Sequence, residues 1–191
     1  MSMNKSPKVT MVTKNQYKID AMKKVLDPYG IELEVENFSV PEIQADTCEE
    51  IAGFSAQYAA NHCGRPVIKA DAGFFIEALN GLPGIYASQF QKKLGPTKVL
   101  KLMEGESNRN AKIVYALAYC EPGKEPIIFS SGSEGTISNE VRGEEGMLID
   151  YIFIPKGSSE VMGILKKTDP DIAEKAWGDA EQQFAIWLTG K

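Results

Sequence analysis

The hydrophobic and polar positions at the start of the chain alternate between strand-like and helix-like patterns. Residues 9–13 (VTMVT) form a short apolar run, and the apolar residues of 15–26 recur at helical spacing. Residues 31–36 alternate apolar and acidic side chains, which is typical of a half-buried strand with a solvated acidic face. The pattern therefore predicts a strand, a helix and a second strand.

The following segment continues this alternation. Thr47 and Glu50 match the capping box that begins many helices, and Gly64 is typical of a residue that ends one. We therefore expect a helix over residues 47–63, followed by a strand over residues 67–71 with an acidic residue at its end. Strands and helices in this order predict an α/β fold.

The remainder of the chain is richer in strand-like patterns. The predicted segments are a hairpin-like stretch over 74–79, a turn over 80–84, a helix over 97–103, strands within 111–154 and one amphipathic helix over 171–188. Within these, residues 147–154 form an apolar run that only Asp150 interrupts, which favours a strand. We expect one mixed α/β domain over residues 1–191, with a ligand cleft between two lobes and a disordered tail over residues 1–8.

Composition and charge argue against several classes of protein. Hydrophobic residues make up 43% and charged residues 25% of the 191 residues, as in globular proteins. The 21 Lys and Arg against 26 Asp and Glu give a net charge of -5, which argues against a general nucleic-acid-binding protein. No apolar run approaches the ~20 residues that span a bilayer, and the polar N-terminus lacks the apolar region of a secretory signal.

The cysteine and histidine content argues against disulfide-stabilised and zinc-binding proteins. Three cysteines at wide spacings form neither a disulfide framework nor a zinc pattern. The single histidine, His62, argues against a histidine-based metal site. Reduced thiols are typical of the cytoplasm, so we expect a cytoplasmic protein without membrane or nucleic-acid partners.

An anion site is predicted where the first strand meets the first helix. Thr13, Asn15 and Lys18 lie at this junction. Ligands of α/β sheets bind at the carboxyl ends of strands, and a helix N-terminus offers unpaired N–H groups to an anion. The alternative is that Thr13 or Asn15 only caps the helix and that Lys18 is a solvated surface residue.

Two acidic residues are candidates for metal binding and catalysis at the same edge of the sheet. Glu42 follows the second predicted strand, and Asp71 ends the third. Mg²⁺ prefers one or two carboxylates together with phosphate oxygens, and one of these acids could deprotonate a water for attack on phosphorus. The alternatives are a turn cap for Asp71 and a solvated loop charge for Glu42.

Asp150 is a third candidate, because it interrupts an apolar run. A buried charge is costly unless it is paired or hydrogen-bonded. Asp150 therefore either faces solvent from the polar side of a strand or faces a ligand.

Several motifs follow one another along residues 9–155. They are TKNQYK at 13–18, PEIQ at 41–44, EIA at 50–52, ADAGFFIEALNGLPGIY at 70–86, GSEGTI at 132–137 and GMLIDYIFIP at 146–155. In this order they resemble the Ham1 family, the inosine triphosphate pyrophosphatases. The resemblance implies an elongated mixed α/β fold with a nucleotide cleft between two lobes, and a homodimer. It also implies Mg²⁺-dependent hydrolysis of deaminated purine nucleoside triphosphates to the monophosphate and pyrophosphate.

The resemblance also implies roles for individual residues. Thr13, Asn15 and Lys18 would hold the triphosphate of the substrate. Glu42 and Asp71 would serve the metal, and Asp71 would also activate the attacking water.

On the same resemblance, other residues would bind the base. Met147 stands in place of an aromatic residue that stacks on the base, and Asp150 would lie near the base. The family's S-H-R motif, which reads the purine 6-oxo group, is missing from the corresponding residues 175–181. Lys175 begins this segment and is a candidate for substrate binding.

Further departures concern the phosphate half of the site. Lys14 replaces a glycine of the first motif, Ala70 replaces the first acid of an acidic pair, and Ser55 stands where a lysine is expected. The leading hypothesis is a pyrophosphohydrolase with relaxed or changed base preference. The alternatives are a non-catalytic nucleotide-binding protein on the same fold and a hydrolase of another phosphoanhydride.

Overall fold

A seven-stranded mixed sheet forms the centre of the protein in a computed structural model that describes residues 6–143 and 146–190. Its strands are β1 (Lys8–Val12), β2 (Glu32–Glu36), β3 (Val67–Ile76), β4 (Pro83–Gly84), β5 (Asn110–Cys120), β6 (Ile127–Ile137) and β7 (Phe153–Pro155). They lie in the order β2-β1-β3-β5-β6-β7, and β4 pairs with β3 outside this order. β1 is parallel to β2 and β3, whereas all the other pairs are antiparallel.

The described residues form eight α-helices around this sheet. They are α1 (Gln16–Leu26), α2 (Cys48–Cys63), α3 (Ala87–Lys93), α4 (Gly95–Leu102), α5 (Leu148–Ile152), α6 (Met162–Thr168), α7 (Pro170–Lys175) and α8 (Ala180–Thr189). The predicted capping box of α2 is confirmed, because the Thr47 hydroxyl accepts from the Glu50 N–H and the Glu50 carboxylate accepts from the Thr47 N–H. No helix in the described part of the chain is long and apolar enough to cross a membrane.

The helices pack on both faces of the sheet, which confirms the predicted mixed α/β fold. Helix α2 covers one face, where its Ala56 packs in a cluster with Val67 of β3. On the other face, Met22 of α1 and Phe184 of α8 pack against Ile68. A third cluster contains residues of the four helices α4, α5, α6 and α7. They pack against the C-terminal end of β3 and the N-terminal end of β5. The long strands β3, β5 and β6 therefore connect two lobes.

Strand β3 extends five residues beyond its predicted end, because it pairs antiparallel with β5 from Val67 to Ile76. The prediction that Asp71 ends a strand is therefore wrong. On its other edge, β3 pairs with β1 only at its first two residues and with β4 only at Phe74 and Phe75. Between these pairings, residues 69–73 have no strand partner on that edge in the described ladders, and this gap lies beyond the end of β1.

The strand predicted over residues 147–154 is wrong for most of its length. Leu148–Ile152 is helix α5, and only the last two residues of the run belong to β7. Asp150 accounts for the difference, because its carboxylate accepts the Met147 N–H at 2.7 Å and so caps the start of the helix. Neither orientation that we considered for Asp150 on a strand applies.

The single helix predicted over residues 171–188 is also wrong. It is divided into α7 and α8 at Gly178, whose φ of +82° is not helical. The two halves pack in different places, since Ile172 and Trp177 join the cluster of one lobe whereas Phe184 joins the cluster of the other. Helix α3 was not predicted.

Strand β1 begins at the last residue of the predicted tail. Lys8, assigned to a disordered tail, is the first residue of β1, and its ammonium lies 2.7 Å from a carboxylate oxygen of Glu34. The Pro7 carbonyl accepts the Glu32 N–H at 2.8 Å, so pairing with β2 holds this end in place. The rest of the predicted tail, residues 1–5, lies outside the described residues.

Candidate active site

The junction of β1 and α1 carries the capping interactions that the sequence suggested. The Thr13 hydroxyl accepts the Asn15 N–H at 3.1 Å, and the Asn15 side-chain oxygen accepts the Lys18 N–H at 3.4 Å. These bonds fix the first turn of an 11-residue helix directly after the carboxyl end of β1. The N-terminus of the helix, with the positive end of the helix dipole, favours a negatively charged ligand.

The unpaired edge of β3 lies beside this junction and receives two lysine side chains. The Lys18 ammonium donates to the Ala70 carbonyl at 3.4 Å. The Lys69 ammonium donates to the Val12 carbonyl, the last of β1, at 2.9 Å. Both lysines are half-buried. The gap in the sheet is therefore lined with positive charge.

Asp71 lies in the same gap and is the acidic residue best placed for chemistry. It is half-buried, and its Oδ2 atom is buried without a hydrogen-bond partner in the described part of the protein. Burial raises the pKa of the Asp71 carboxyl, and the charge of Lys18 opposes this rise. Burial and the negative charge of Asp71 together raise the pKa of Cys48, at the start of α2, to about 12. This thiol therefore remains protonated at neutral pH.

Glu42 lies in the loop between β2 and α2, and its side chain is exposed. No group of three or more histidine, cysteine or acidic residues among residues 6–143 and 146–190 is close enough to hold a metal ion by itself. A metal here would therefore depend on Asp71, with Glu42 and ligand oxygens completing its coordination. The unpartnered Oδ2 atom of Asp71 fits this role, since a buried carboxylate oxygen needs a donor or a cation.

In the described part of the chain, no hydrogen bond or ion pair joins the residues predicted to bind the base to Asp71 or Lys18. Met147 precedes α5 with its side chain 46% exposed. Lys175 is the exposed last residue of α7. Asp150 is only 1% exposed, and the Lys166 ammonium lies 2.8 Å from its carboxylate. These contacts indicate a structural role for Asp150, which fixes the backbone at Met147.

Comparison with known proteins gives a consistent result over nearly the whole chain. The Ham1 family matches residues 9–176. The dITP/XTP pyrophosphatase of Methanopyrus kandleri is 42% identical over 183 residues, which cover 94% of this chain and 95% of that protein. The dITP/XTP pyrophosphatase of Methanosarcina acetivorans is 41% identical and covers 96% of this chain and 98% of its own. The chain belongs to the Ham1 family.

Solved structures of Ham1 proteins have the same fold. The HAM1 protein of Coxiella burnetii superposes with a TM-score of 0.83 at 28% identity, covering 97% of this chain and 100% of its own. The Ham1 protein of Staphylococcus aureus has a TM-score of 0.80 at 25% identity and covers 96% and 98% of the two chains. The resemblance drawn from the motifs is therefore confirmed for family and fold.

Two features near the candidate site of this Ham1 protein were not predicted from its sequence. One is the position of the Lys69 side chain in the gap, because the sequence indicated only that Lys69 belongs to a strand. The other is a half-buried pair in which the Tyr115 hydroxyl donates to the Glu181 carboxylate at 2.6 Å. Burial raises the pKa of both groups, and the charge of Lys18 opposes the rise at Glu181. Glu181 lies in the segment that replaces the S-H-R motif, but nothing in the sequence indicated a partner on β5.

Proposed function

We propose that this protein is a nucleoside triphosphate pyrophosphohydrolase that acts on dITP, XTP or related deaminated purine nucleotides. The observation that carries the proposal is the gap at the edge of β3, where Asp71 and Lys18 meet the N-terminus of α1. The names of the two archaeal relatives, which span nearly all of this chain, support the same activity.

In this proposal the phosphate chain lies against the start of α1. Thr13, Asn15 and Lys18 hold it with N–H groups, polar side chains and one ammonium. Asp71 accepts a proton from a water molecule as the water oxygen forms a bond to the α-phosphorus. The bond from that phosphorus to the bridging oxygen breaks, and pyrophosphate leaves with the bonding electrons.

We propose Mg²⁺ as the cofactor, held by Asp71 and Glu42. A divalent cation supplies neutralisation of the phosphate charge. The support within this chain is the buried, unpartnered Oδ2 atom of Asp71, together with Glu42 as an exposed acid in the loop between β2 and α2.

The base is proposed to contact Met147 and Lys175, with Asp150 fixing the position of Met147 through its backbone N–H. No histidine or arginine is present in residues 175–181, so donors from these side chains cannot read the base. We therefore expect weaker discrimination between purine bases than a site with such donors would give. Following the family resemblance, we also propose a cytoplasmic homodimer, which sedimentation analysis of the purified protein would test.

A second candidate function is nucleotide binding without turnover. Ala70 places a methyl group where the resemblance predicts an acid, and Ser55 is buried where it predicts a lysine. Tight binding of a nucleoside triphosphate with Mg²⁺ present, and no release of pyrophosphate, would favour this function. Turnover of a different phosphoanhydride would favour a related hydrolase.

The first experiment is pyrophosphate release from a panel of ribo- and deoxyribonucleoside triphosphates with Mg²⁺, comparing the wild type with Asp71→Asn. We expect Asp71→Asn to lower kcat by roughly 10²- to 10⁴-fold, as is usual when a general base is removed. Asp27→Asn, at an exposed position outside the site, is the matched control and should keep full activity. Full activity of Asp71→Asn would refute the role assigned to Asp71.

A further inference from the structure

Lys69 holds an unusual position in the sheet. It is the first residue of β3 beyond the pairing with β1, and its ammonium donates to the Val12 carbonyl at 2.9 Å. Alternate residues of a strand face the same side, so Lys69 and Asp71 both face the side that α2 covers. The described hydrogen bonds use one of the three donors of this ammonium.

Helix α2 contributes no positive charge to this face. Its buried residues are all small or uncharged: Cys48, Ala52, Gly53, Ser55, Ala56, Ala59 and Ala60. Lys69 is therefore the cation that the sheet itself places beside Asp71. Lys18 approaches the same gap from α1, and its charge is close enough to act on both Lys69 and Asp71.

A purely structural role does not explain a lysine here. A neutral side chain such as glutamine could donate to the Val12 carbonyl without carrying a charge into a half-buried position. The charge is held at a cost, because the ammonium lies in a half-buried position close to the like charge of Lys18. Two ammoniums in one gap are stabilised most by an anion with several oxygens.

We propose that Lys69 is a second triphosphate-binding cation, which with Lys18 holds the phosphate chain of the substrate across the unpaired edge of β3. The inference rests on the proposed function, because it assigns a further residue to the same site. Lys69 supplies the positive charge on the sheet face that α2 covers, and this charge comes from strand β3 because α2 has no buried cation.

The test is binding of inorganic tripolyphosphate without divalent cations, measured by isothermal titration calorimetry on the full chain. Lys69→Gln removes the charge and still offers an N–H donor to the Val12 carbonyl, on a side chain that is one bond shorter. We expect it to bind tripolyphosphate about 10- to 100-fold more weakly, as is usual on loss of a charge-assisted hydrogen bond. Lys69→Arg should stay within a few-fold of the wild type. The exposed Lys92→Gln is the matched control and should bind as the wild type does.

Thermal unfolding distinguishes this role from a structural one. Under the proposal, Lys69→Gln unfolds at or above the wild-type temperature, because a half-buried charge has been removed. An unchanged affinity for tripolyphosphate in Lys69→Gln would overturn the proposal, whether or not its unfolding temperature falls. If Lys69→Gln does not fold, the tripolyphosphate affinity of Lys69→Met is measured in its place, since methionine fills a similar volume but removes both the charge and the donor.

The design also separates this inference from the proposed function. If the wild type releases no pyrophosphate from any nucleotide but binds tripolyphosphate through Lys69, the hydrolase proposal fails and the binding site stands. If the wild type hydrolyses nucleotides and Lys69→Gln retains the wild-type KM and tripolyphosphate affinity, the hydrolase proposal stands and the role of Lys69 is refuted.

Discussion

At the scale of single residues, Asp150 illustrates how a charge can be buried in an apolar run. Its Oδ2 atom accepts two hydrogen bonds, from the Met147 N–H at 2.7 Å and from the Lys166 ammonium at 2.9 Å. Gly146 makes this possible, because a Cβ atom there would collide with the Asp150 carboxylate. The ion pair joins α5 to α6, so its loss affects more than one turn of helix.

We predict that Lys166→Met lowers the free energy of unfolding by about 2–3 kcal/mol, because it leaves the Asp150 carboxylate buried without its counter-charge. The loss should be smaller than for a fully buried pair, since the Lys166 side chain is 37% exposed. Urea denaturation measures the change. Lys156→Met, which removes an exposed pair with Glu134, is the control and should stay within about 0.5 kcal/mol. Equal losses in the two variants would contradict the prediction.

At the scale of elements, a residue of the sheet caps the C-terminal helix. The Ser131 hydroxyl of β6 accepts the N–H groups of Asp179 and Ala180, at 3.0 and 2.9 Å, at the start of α8. Gly178 lets the chain approach this closely, because an added Cβ atom would meet both the Ser131 side chain and the Gly132 backbone. The break between α7 and α8 is therefore set by the sheet.

We predict that Ser131→Ala destabilises the protein by about 1–2 kcal/mol, as is usual when a helix loses its N-terminal cap. Guanidinium denaturation followed by circular dichroism measures the change. Ser130→Ala is the matched control: it lies next in the same strand on the opposite face, and its hydroxyl bonds to the side chain of Glu49 on α2. A loss from Ser131→Ala no larger than that from Ser130→Ala would show that the cap contributes little.

At the scale of the whole molecule, the pair of Tyr115 and Glu181 ties the central sheet to the C-terminal helix. Burial raises the pKa of Glu181, and the Tyr115 hydrogen bond only partly opposes this. Because the folded-state pKa lies above the unfolded value, ionisation of Glu181 costs more in the folded protein. Its contribution to stability is fully present below the unfolded pKa and falls as the pH rises through the folded pKa.

We therefore predict that Glu181→Gln, which keeps an acceptor for the Tyr115 hydroxyl, gains stability relative to the wild type as the pH rises from about 4.5. The difference should level off once Glu181 is fully ionised in the folded protein. Urea denaturation at a series of pH values from 4 to 8 measures it. Glu106→Gln, at an exposed position, should show no such trend. A difference that stays constant with pH would contradict the assigned pKa shift.

The sequence by itself determined the features that depend on neighbouring residues and on motif order. The strands and helices of the first 66 residues follow their periodicity, and the capping box of Thr47 and Glu50 is satisfied within one turn of helix. The ordered motifs led to the Ham1 family, which the comparisons confirm. The position of Thr13, Asn15 and Lys18 between a strand end and a helix start could be predicted because this is a local pattern.

Only the tertiary structure decided the features that depend on a distant partner. Pairing with β5 carries β3 beyond Asp71, and Ser131, remote in sequence, ends α7 and starts α8. Lys166 makes a buried acid stable inside an apolar run. Lys69 became a candidate for phosphate binding because β1 ends next to it in space and leaves an edge of β3 unpaired. The end of β1, at Val12, is 57 residues away along the chain. Periodicity reports the face of a residue and not its partner, so these contacts could not be predicted from one sequence.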